Sequence, residues 1–145
     1  MCRCRVIMSD VLEHFPDPQT VIELSRLLLK NNGLLVIVTP DTGSLSACIL
    51  KTHWNHYNKE HLVYYNRKNI QLHLKRNNFT PLIIRSAMKA LNLKYIYSQM
   101  TVYPNPWLTP VAALINRFFP EALLGMSFFV RSGDMLIIAR KEVFK

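Results

Sequence analysis

The chain has 145 residues, of which 50% are apolar and 19% charged, so it can bury the core of one domain and is not a disordered chain. Its formal net charge is +9, and no apolar run reaches the roughly 20 residues that a membrane-spanning helix needs. Three cysteines make no disulfide framework, and we expect no secretory signal. These features predict a cytoplasmic protein.

The first third of the chain has the pattern strand, loop, helix, strand. Residues 6–8 are apolar and predict the end of a buried strand. Asp17 is an N-cap candidate with Pro18 at the first helical position, and we expect the helix to end at Gly33. Residues 34–38 form an aliphatic run without polar alternation, which is typical of a strand buried on both faces. The residues expected on the inner face of the helix are Val21, Leu24 and Leu28, with Ile22 and Leu29 alongside.

This order of elements is a βαβ unit and predicts an α/β fold. Ligands of open α/β sheets bind beyond the carboxyl ends of the strands. The two loops expected there are residues 9–16 and 39–44. Topology alone therefore predicts a site between these loops.

The rest of the chain gives weaker patterns, which end in a further strand. In chain order they predict a short helix near residues 45–49, a loop or lid at 53–58, a helix from Asn66 to about Asn77 with Ile70 and Leu74 inward, and a strand at 82–84. Residues 91–100 fit strand or helix, and we favour helix. There follow a linker at 103–106, a helix that starts at Thr109 and Pro110 and ends at Pro120, a turn at 131–133 and a strand at 135–139. We expect one domain over residues 1–145, with a helical insertion or cap at 89–130.

Several blocks of this sequence resemble the class I S-adenosylmethionine-dependent methyltransferases. The blocks are Asp10-Val11-Leu12-Glu13-His14, Pro16-Asp17-Pro18, the GLLVIVTP run at 33–40, Glu60-His61-Leu62 before the Asn66 helix, Asn78-Phe79 at its end, and the GDMLIIARK run at 133–141. The resemblance covers about half of the chain. It implies a partial Rossmann-like methyltransferase fold: the C-terminal half of a mostly parallel sheet with flanking helices and an antiparallel last strand.

The resemblance also implies roles for residues near the first predicted loop. In the family, residues after the fourth strand flank the reactive end of the cofactor S-adenosylmethionine and face the methyl acceptor. Ser9 and Asp10 would then bind the cofactor. Glu13 and His14 would be catalytic, with His14 as general base or orienting group, and His61 would lie near the substrate opening. As alternatives, Asp10 caps backbone amides, His14 is an ordinary loop histidine, and His61 bonds a backbone carbonyl.

Two further ligand questions stay open in the sequence. Some ubiquinone-pathway O-methyltransferases resemble this chain and hold a divalent metal with an acid-x-x-Glu-His cluster, which Asp10, Glu13 and His14 match. We assign no metal, because a Glu-His pair alone is too common a signal. The aromatic residues that would either wall an acceptor pocket or form ordinary core are Trp54, Tyr57, Tyr64 and Tyr65.

The family's glycine-rich cofactor loop has no counterpart in this sequence. The glycines are Gly33, Gly43, Gly125 and Gly133, and none of them forms a cluster. We therefore expect a truncated, C-terminal methyltransferase fragment that transfers a methyl group to a small molecule or a lipid or glycan precursor, with a second chain as a candidate to complete the sheet.

Two rival interpretations come from other features. The first is a non-catalytic remnant. The second is a basic membrane-surface or nucleic-acid binding module that would use residues 51–94 together with residues 107–130, because residues 51–94 hold nine basic residues and one acid, a balance that attracts anionic surfaces. Among its partners, peripheral membrane contact stays open and nucleic acid is disfavoured.

Overall fold

The computed structural model describes residues 3–104 and 106–143. They divide into two compact units, residues 3–87 with 133–143, and Met88–Ser132. The elements in chain order are β1 (Arg3–Ser9), α1 (Pro18–Leu28), β2 (Leu29–Pro40), α2 (Leu45–Leu50), α3 (Arg67–Arg76), β3 (Phe79–Ser86), β4 (Lys89–Leu91), α4 (Leu93–Val102), α5 (Leu108–Phe118), α6 (Glu121–Leu124), β5 (Phe128–Val130) and β6 (Asp134–Lys141). Short 3-10 helices span Leu12–His14 and Lys51–His53.

The first unit is built on a four-stranded mixed sheet with the strand order β1-β2-β6-β3. β1 and β2 run parallel, with Ile7 opposite Val36 and Met8 opposite Ile37. β6 is antiparallel to both of its neighbours. The predicted βαβ unit and the antiparallel last strand are therefore confirmed.

One face of this sheet carries the core. β2 contributes Leu35 and Ile37 and β6 contributes Met135 and Ile137, all fully buried. On the opposite face of β2, Val36 and Val38 are only half-buried. The expectation that this strand is buried on both faces is therefore wrong, because the described helices cover one face more completely than the other.

Two helix starts follow the predicted capping chemistry. The Asp17 side chain accepts hydrogen bonds from the backbone amides of residues 19 and 20, with Pro18 in the first turn. Asn66 and Asn69 form a reciprocal capping box at the start of α3. Ile70 and Leu74 of α3 are fully buried, as predicted.

The predicted end of α1 at Gly33 is wrong. The helix ends at Leu28, and Gly33 lies inside β2, where a Cβ would stand 2.8 Å from the Lys30 carbonyl oxygen. The inner face was also misjudged, because Ile22 is buried whereas Leu24 and Leu28 are exposed. A helix with apolar residues on two sides satisfies the helical spacing with either side inward.

The second unit contains α4, α5, α6 and the antiparallel pair β4–β5. α4 confirms the preference for helix. α5 begins at Leu108, with no side-chain cap, so Thr109 and Pro110 lie within its first turn rather than capping it. It ends before Pro120, as predicted. Within the predicted linker 103–106, Asn105 lies outside the described residues.

Among the described residues, no helix is long and apolar enough to cross a membrane.

Candidate functional site

The carboxyl ends of the two parallel strands are joined by a backbone hydrogen bond. The Asp10 amide donates to the Val38 carbonyl oxygen at 2.9 Å. Asp10 has a φ of 53°, a left-handed conformation that aspartate adopts more readily than most residues. The Ser9 hydroxyl donates to the Asp10 carboxylate at 3.3 Å. Both predicted cofactor-binding residues are thus exposed polar groups at the end of β1.

Glu13 is a buried acid in the loop that follows β1. It sits in the 3-10 helix beside the fully buried Leu12, and it is 1% exposed. Its Oε2 accepts a hydrogen bond from the Thr39 hydroxyl at 2.9 Å, whereas Oε1 is buried with no hydrogen-bond partner among the described residues. Leaving a buried carboxylate oxygen unsatisfied is costly. Glu13 therefore has the capacity to bind one more proton donor or cation.

Two histidines lie beside this acid. The rings of His14 and His61 meet edge to face with centroids 4.8 Å apart. His14 Nδ1 lies 2.9 Å from the Glu60 carbonyl oxygen, and His61 Nδ1 lies 2.7 Å from that of His56. Because a carbonyl oxygen only accepts, each neutral ring carries its proton on Nδ1 and keeps a lone pair on Nε2. Each Nε2 can thus take up a proton or bind a metal.

Backbone hydrogen bonds hold the two histidine segments together. The amides of Leu62 and Val63 both donate to the Glu13 carbonyl oxygen, at 2.8 and 3.2 Å. The structure therefore brings together Glu13, His14 and His61, the three residues predicted to be catalytic. The carbonyl bond of His61, which was the alternative interpretation, is present as well, so the two interpretations do not exclude each other.

The same three side chains are the ones that could hold a metal ion. Their potential ligand atoms lie within 4.8 Å of one another. One carboxylate and two imidazoles are a donor set suited to zinc and similar divalent ions. Asp10 does not belong to this group, so the fold places His61, rather than Asp10, beside Glu13 and His14.

An aromatic cluster adjoins His61. Tyr64 lies 6.2 Å from the His61 ring and 5.2 Å from Tyr57, which contacts Trp54 at 5.1 Å. Trp54 and Tyr65 are buried core residues, whereas Tyr57 is exposed. Burial raises the pKa of the Tyr64 hydroxyl, and burial together with the Glu13 charge raises the pKa of Tyr65 to about 12. Trp54 and Tyr65 thus serve the core, and Tyr57 and Tyr64 are the members nearer to solvent.

Sequence reasoning assigned no role to two residues of this region, although both lie in loops that it predicted. Thr39, fully buried, is the hydrogen-bond donor to Glu13, and its position at the carboxyl end of β2 was the available signal. His56 stacks on His61 with ring centroids 6.0 Å apart, and its Nε2 lies 3.7 Å from the buried Asp134. No local spacing links His56 to Asp134, because they come from distant parts of the chain.

Comparison with known proteins identifies a family for this chain. The sequence matches the family described as "Methyltransferase domain" over residues 5–83. No curated protein matches it.

Among solved structures, the chain resembles a protein of Bacillus halodurans C-125 assigned as a methyltransferase, with a TM-score of 0.61 and 14% identity, covering 97% of this chain and 70% of that one. A SAM-dependent methyltransferase from Thermotoga maritima matches with a TM-score of 0.57 and 11% identity, over 95% of this chain and 56% of that one. A chain from the complex of the Haloferax volcanii Trm112 methyltransferase activator with an assigned methyltransferase matches with a TM-score of 0.59 and 12% identity. The match covers 99% of this chain and 56% of that one.

These identities show a shared fold, which is the Rossmann-like methyltransferase fold expected from the sequence. The chain spans between about half and 70% of the length of these relatives. The family match covers more than half of its residues. The chain therefore belongs to the methyltransferase-domain family, among the class I S-adenosylmethionine-dependent methyltransferases.

Proposed function

We propose that the chain takes part in methyl transfer from S-adenosylmethionine to a hydroxyl or amine of a small molecule or a lipid or glycan precursor. The observation that supports this proposal is the cluster of Glu13, His14 and His61 beside the carboxyl ends of two parallel strands. Ligands of α/β sheets bind at such ends. The free thiols of Cys4 and Cys48 agree with a reducing, cytoplasmic location.

Each residue has a distinct part in the proposed reaction. When bound, S-adenosylmethionine would supply an electrophilic methyl group to a lone pair of the acceptor and leave as S-adenosylhomocysteine. Ser9 and Asp10 would hold it through their exposed hydroxyl and carboxylate. The lone pair on His14 Nε2 accepts the proton of the methyl acceptor, and the buried Glu13 carboxylate stabilises the resulting imidazolium. His61 orients the acceptor.

A divalent cation is an alternative way for the same cluster to act. Glu13, His14 and His61 would hold it, and the cation would supply Lewis-acid polarisation of the acceptor oxygen. The unsatisfied Oε1 of Glu13 fits such an ion. In this alternative, His14 is a ligand and does not act as the base.

Cofactor binding is tested by titrating the chain with S-adenosylhomocysteine in a calorimeter. We expect Asp10→Asn to weaken binding about tenfold through loss of a charged hydrogen bond. Glu23→Gln, an exposed acid on α1, is the matched control and leaves the affinity unchanged. Equal affinities of the Asp10 variant and the parent would refute the cofactor role of Asp10.

The role of His14 is tested by transfer of a radiolabelled methyl group to a panel of hydroxyl and amine acceptors. His14→Gln should lower kcat about 100-fold, the size of a general-base contribution, without changing S-adenosylhomocysteine affinity. His53→Gln, which alters a histidine outside the cluster, should leave kcat unchanged. A His14 variant with full activity would contradict the proposal.

A second candidate is that the chain acts only after a second polypeptide completes its sheet. β1 is an edge strand whose described neighbour is β2, and its Ile7 is 67% exposed. Unpaired strand edges readily accept another strand, and the dispersed glycines leave part of a cofactor cradle to come from elsewhere. Light scattering of the chain with and without a candidate partner, followed by the same calorimetry, separates this candidate from the first. Cofactor binding by the chain alone would overturn it.

A further inference from the structure

Helix α5 presents a row of large apolar side chains to solvent. Trp107, at its N-cap, is 79% exposed, followed by Val111 at 53%, Leu114 at 60% and Phe118 at 70%. Their spacing of four, three and four residues places them on one side of the helix. We call these four residues the α5 stripe.

The α5 stripe lies mostly outside the packing of its own unit. Its member Val111 lines an apolar cavity of about 140 Å³ together with Ala112 and Ile115 of α5 and with Ile96 and Met100 of α4, whereas the other three stripe residues do not line it. The helix thus already has an apolar side that packs within the unit. A second apolar side that faces solvent is a sign of an interaction surface.

The unit that holds the stripe has a net positive charge. Residues 88–132 contain four basic residues, Lys89, Lys94, Arg117 and Arg131, and one acid, Glu121. Glu121 lies 3.7 Å from Lys94, so these two opposite charges offset each other. Arg117 adjoins the stripe, with its guanidinium carbon 5.8 Å from the centroid of the Phe118 ring. The charge therefore complements an anionic partner.

We propose that the α5 stripe lies on the surface of an anionic lipid bilayer, with its aromatic residues at the boundary between headgroups and acyl chains. Aromatic and aliphatic residues on one side of a helix, with basic residues beside them, are typical of helices that lie in this interface. No described helix could cross the bilayer, so the contact is peripheral.

A membrane differs from a second copy of the chain in what it requires of the stripe. A bilayer needs no matching protein surface, because any lipid-facing apolar residue contributes to binding.

The test is sedimentation of the full chain with vesicles of phosphatidylcholine alone or mixed with phosphatidylserine. We expect binding to the mixed vesicles, and a loss of binding as salt rises. Leu114→Ser should weaken it about tenfold. Leu72→Ser is the matched control, because Leu72 is 57% exposed on α3 and the change in hydrophobicity is identical. Arg117→Gln should weaken binding about fivefold.

A second measurement locates the contact. Lipids brominated in the acyl chain should quench the fluorescence of Trp107 and leave that of the buried Trp54 unaffected. In the Trp107→Phe variant the quenching should therefore be abolished, while the protein still sediments with the vesicles. Three results would overturn the proposal: no sedimentation with mixed vesicles, equal losses for Leu114→Ser and Leu72→Ser, or self-association that disappears in Leu114→Ser without vesicle binding. None of these depends on whether the chain transfers methyl groups.

Discussion

Replacing Thr39 by valine tests whether the buried carboxylate of Glu13 depends on a single hydrogen bond. Thr39 is fully buried, and its hydroxyl donates to Glu13 Oε2 at 2.9 Å. Valine has nearly the same shape, so the substitution removes the donor with little change in packing. Because Oε1 already lacks a partner, both oxygens of Glu13 would be left without a donor.

The expected cost follows from these contacts. A hydrogen bond to a charged group contributes about 1.5–3 kcal/mol, so we expect Thr39→Val to lower the free energy of unfolding by about 2 kcal/mol. For a chain of this length that corresponds to a fall in Tm of roughly 6 °C. Thr42→Val is the comparison, because the Thr42 hydroxyl donates to a neutral acceptor, the Tyr65 carbonyl oxygen, at 3.1 Å. Its cost should be about 1 kcal/mol.

Urea unfolding followed by circular dichroism measures both variants, and a double-mutant cycle assigns the effect. In a Glu13→Leu background the carboxylate is gone, so Thr39→Val should cost less than about 0.5 kcal/mol. If valine at position 39 costs the same in both backgrounds, the hydroxyl is not bonded to Glu13 and the argument from the unsatisfied carboxylate fails.

Two other predictions concern the core beside the site. Gly133→Ala should lower the free energy of unfolding by more than about 2 kcal/mol. Gly133 has a φ of 101°, and a Cβ there would stand 2.4 Å from the Ser46 hydroxyl oxygen and 3.1 Å from the Trp54 ring. An unchanged urea midpoint would show that this turn adapts. For Tyr65, the pKa is raised to about 12 by burial and by the Glu13 charge, against about 10 in the unfolded chain. The contribution of the neutral Tyr65 hydroxyl to stability is therefore complete below pH 10 and is lost as the pH rises towards about 12. Over this window the unfolding free energy should fall more steeply in the parent than in Tyr65→Phe. Parallel curves of unfolding free energy against pH would contradict the raised pKa.

The sequence predicted those parts of the fold that short-range chemistry determines. Asp17 followed by Pro18 caps α1, and Ile70 and Leu74 are inward because two apolar residues four positions apart lie on the same side of a helix. The aliphatic run at 34–38, bounded by Gly33 and Pro40, favoured a strand, and its connection through a helix favoured a parallel neighbour. These features depend on residues a few positions apart, so local patterns were sufficient.

Features that depend on competition between surfaces could not be predicted in this way. Ile22 lies on one side of α1, and Leu24 and Leu28 lie on another. Both sides carry apolar residues, so helical spacing alone could not decide which side faces the sheet. Gly33 resembles a helix stop, but the close approach of the Lys30 carbonyl requires glycine inside a strand instead.

The sequence predicted three residues that the fold brings together, but not their contacts. The resemblance to a family placed Glu13, His14 and His61 near one another. The donor Thr39 and the stacked His56 come from other segments, and only the three-dimensional arrangement brings them to the cluster.

The position of β6 has a consequence for how the protein is made. Among the described strands, β6 lies between β2 and β3 in the sheet and pairs with both. A nascent chain emerging from the ribosome cannot connect these two strands until residues 134–141 have left the exit tunnel. The four-stranded sheet therefore assembles only after residues 134–141 have been synthesised, and until then β2 and β3 expose edges to which chaperones, or other unfinished chains, could attach.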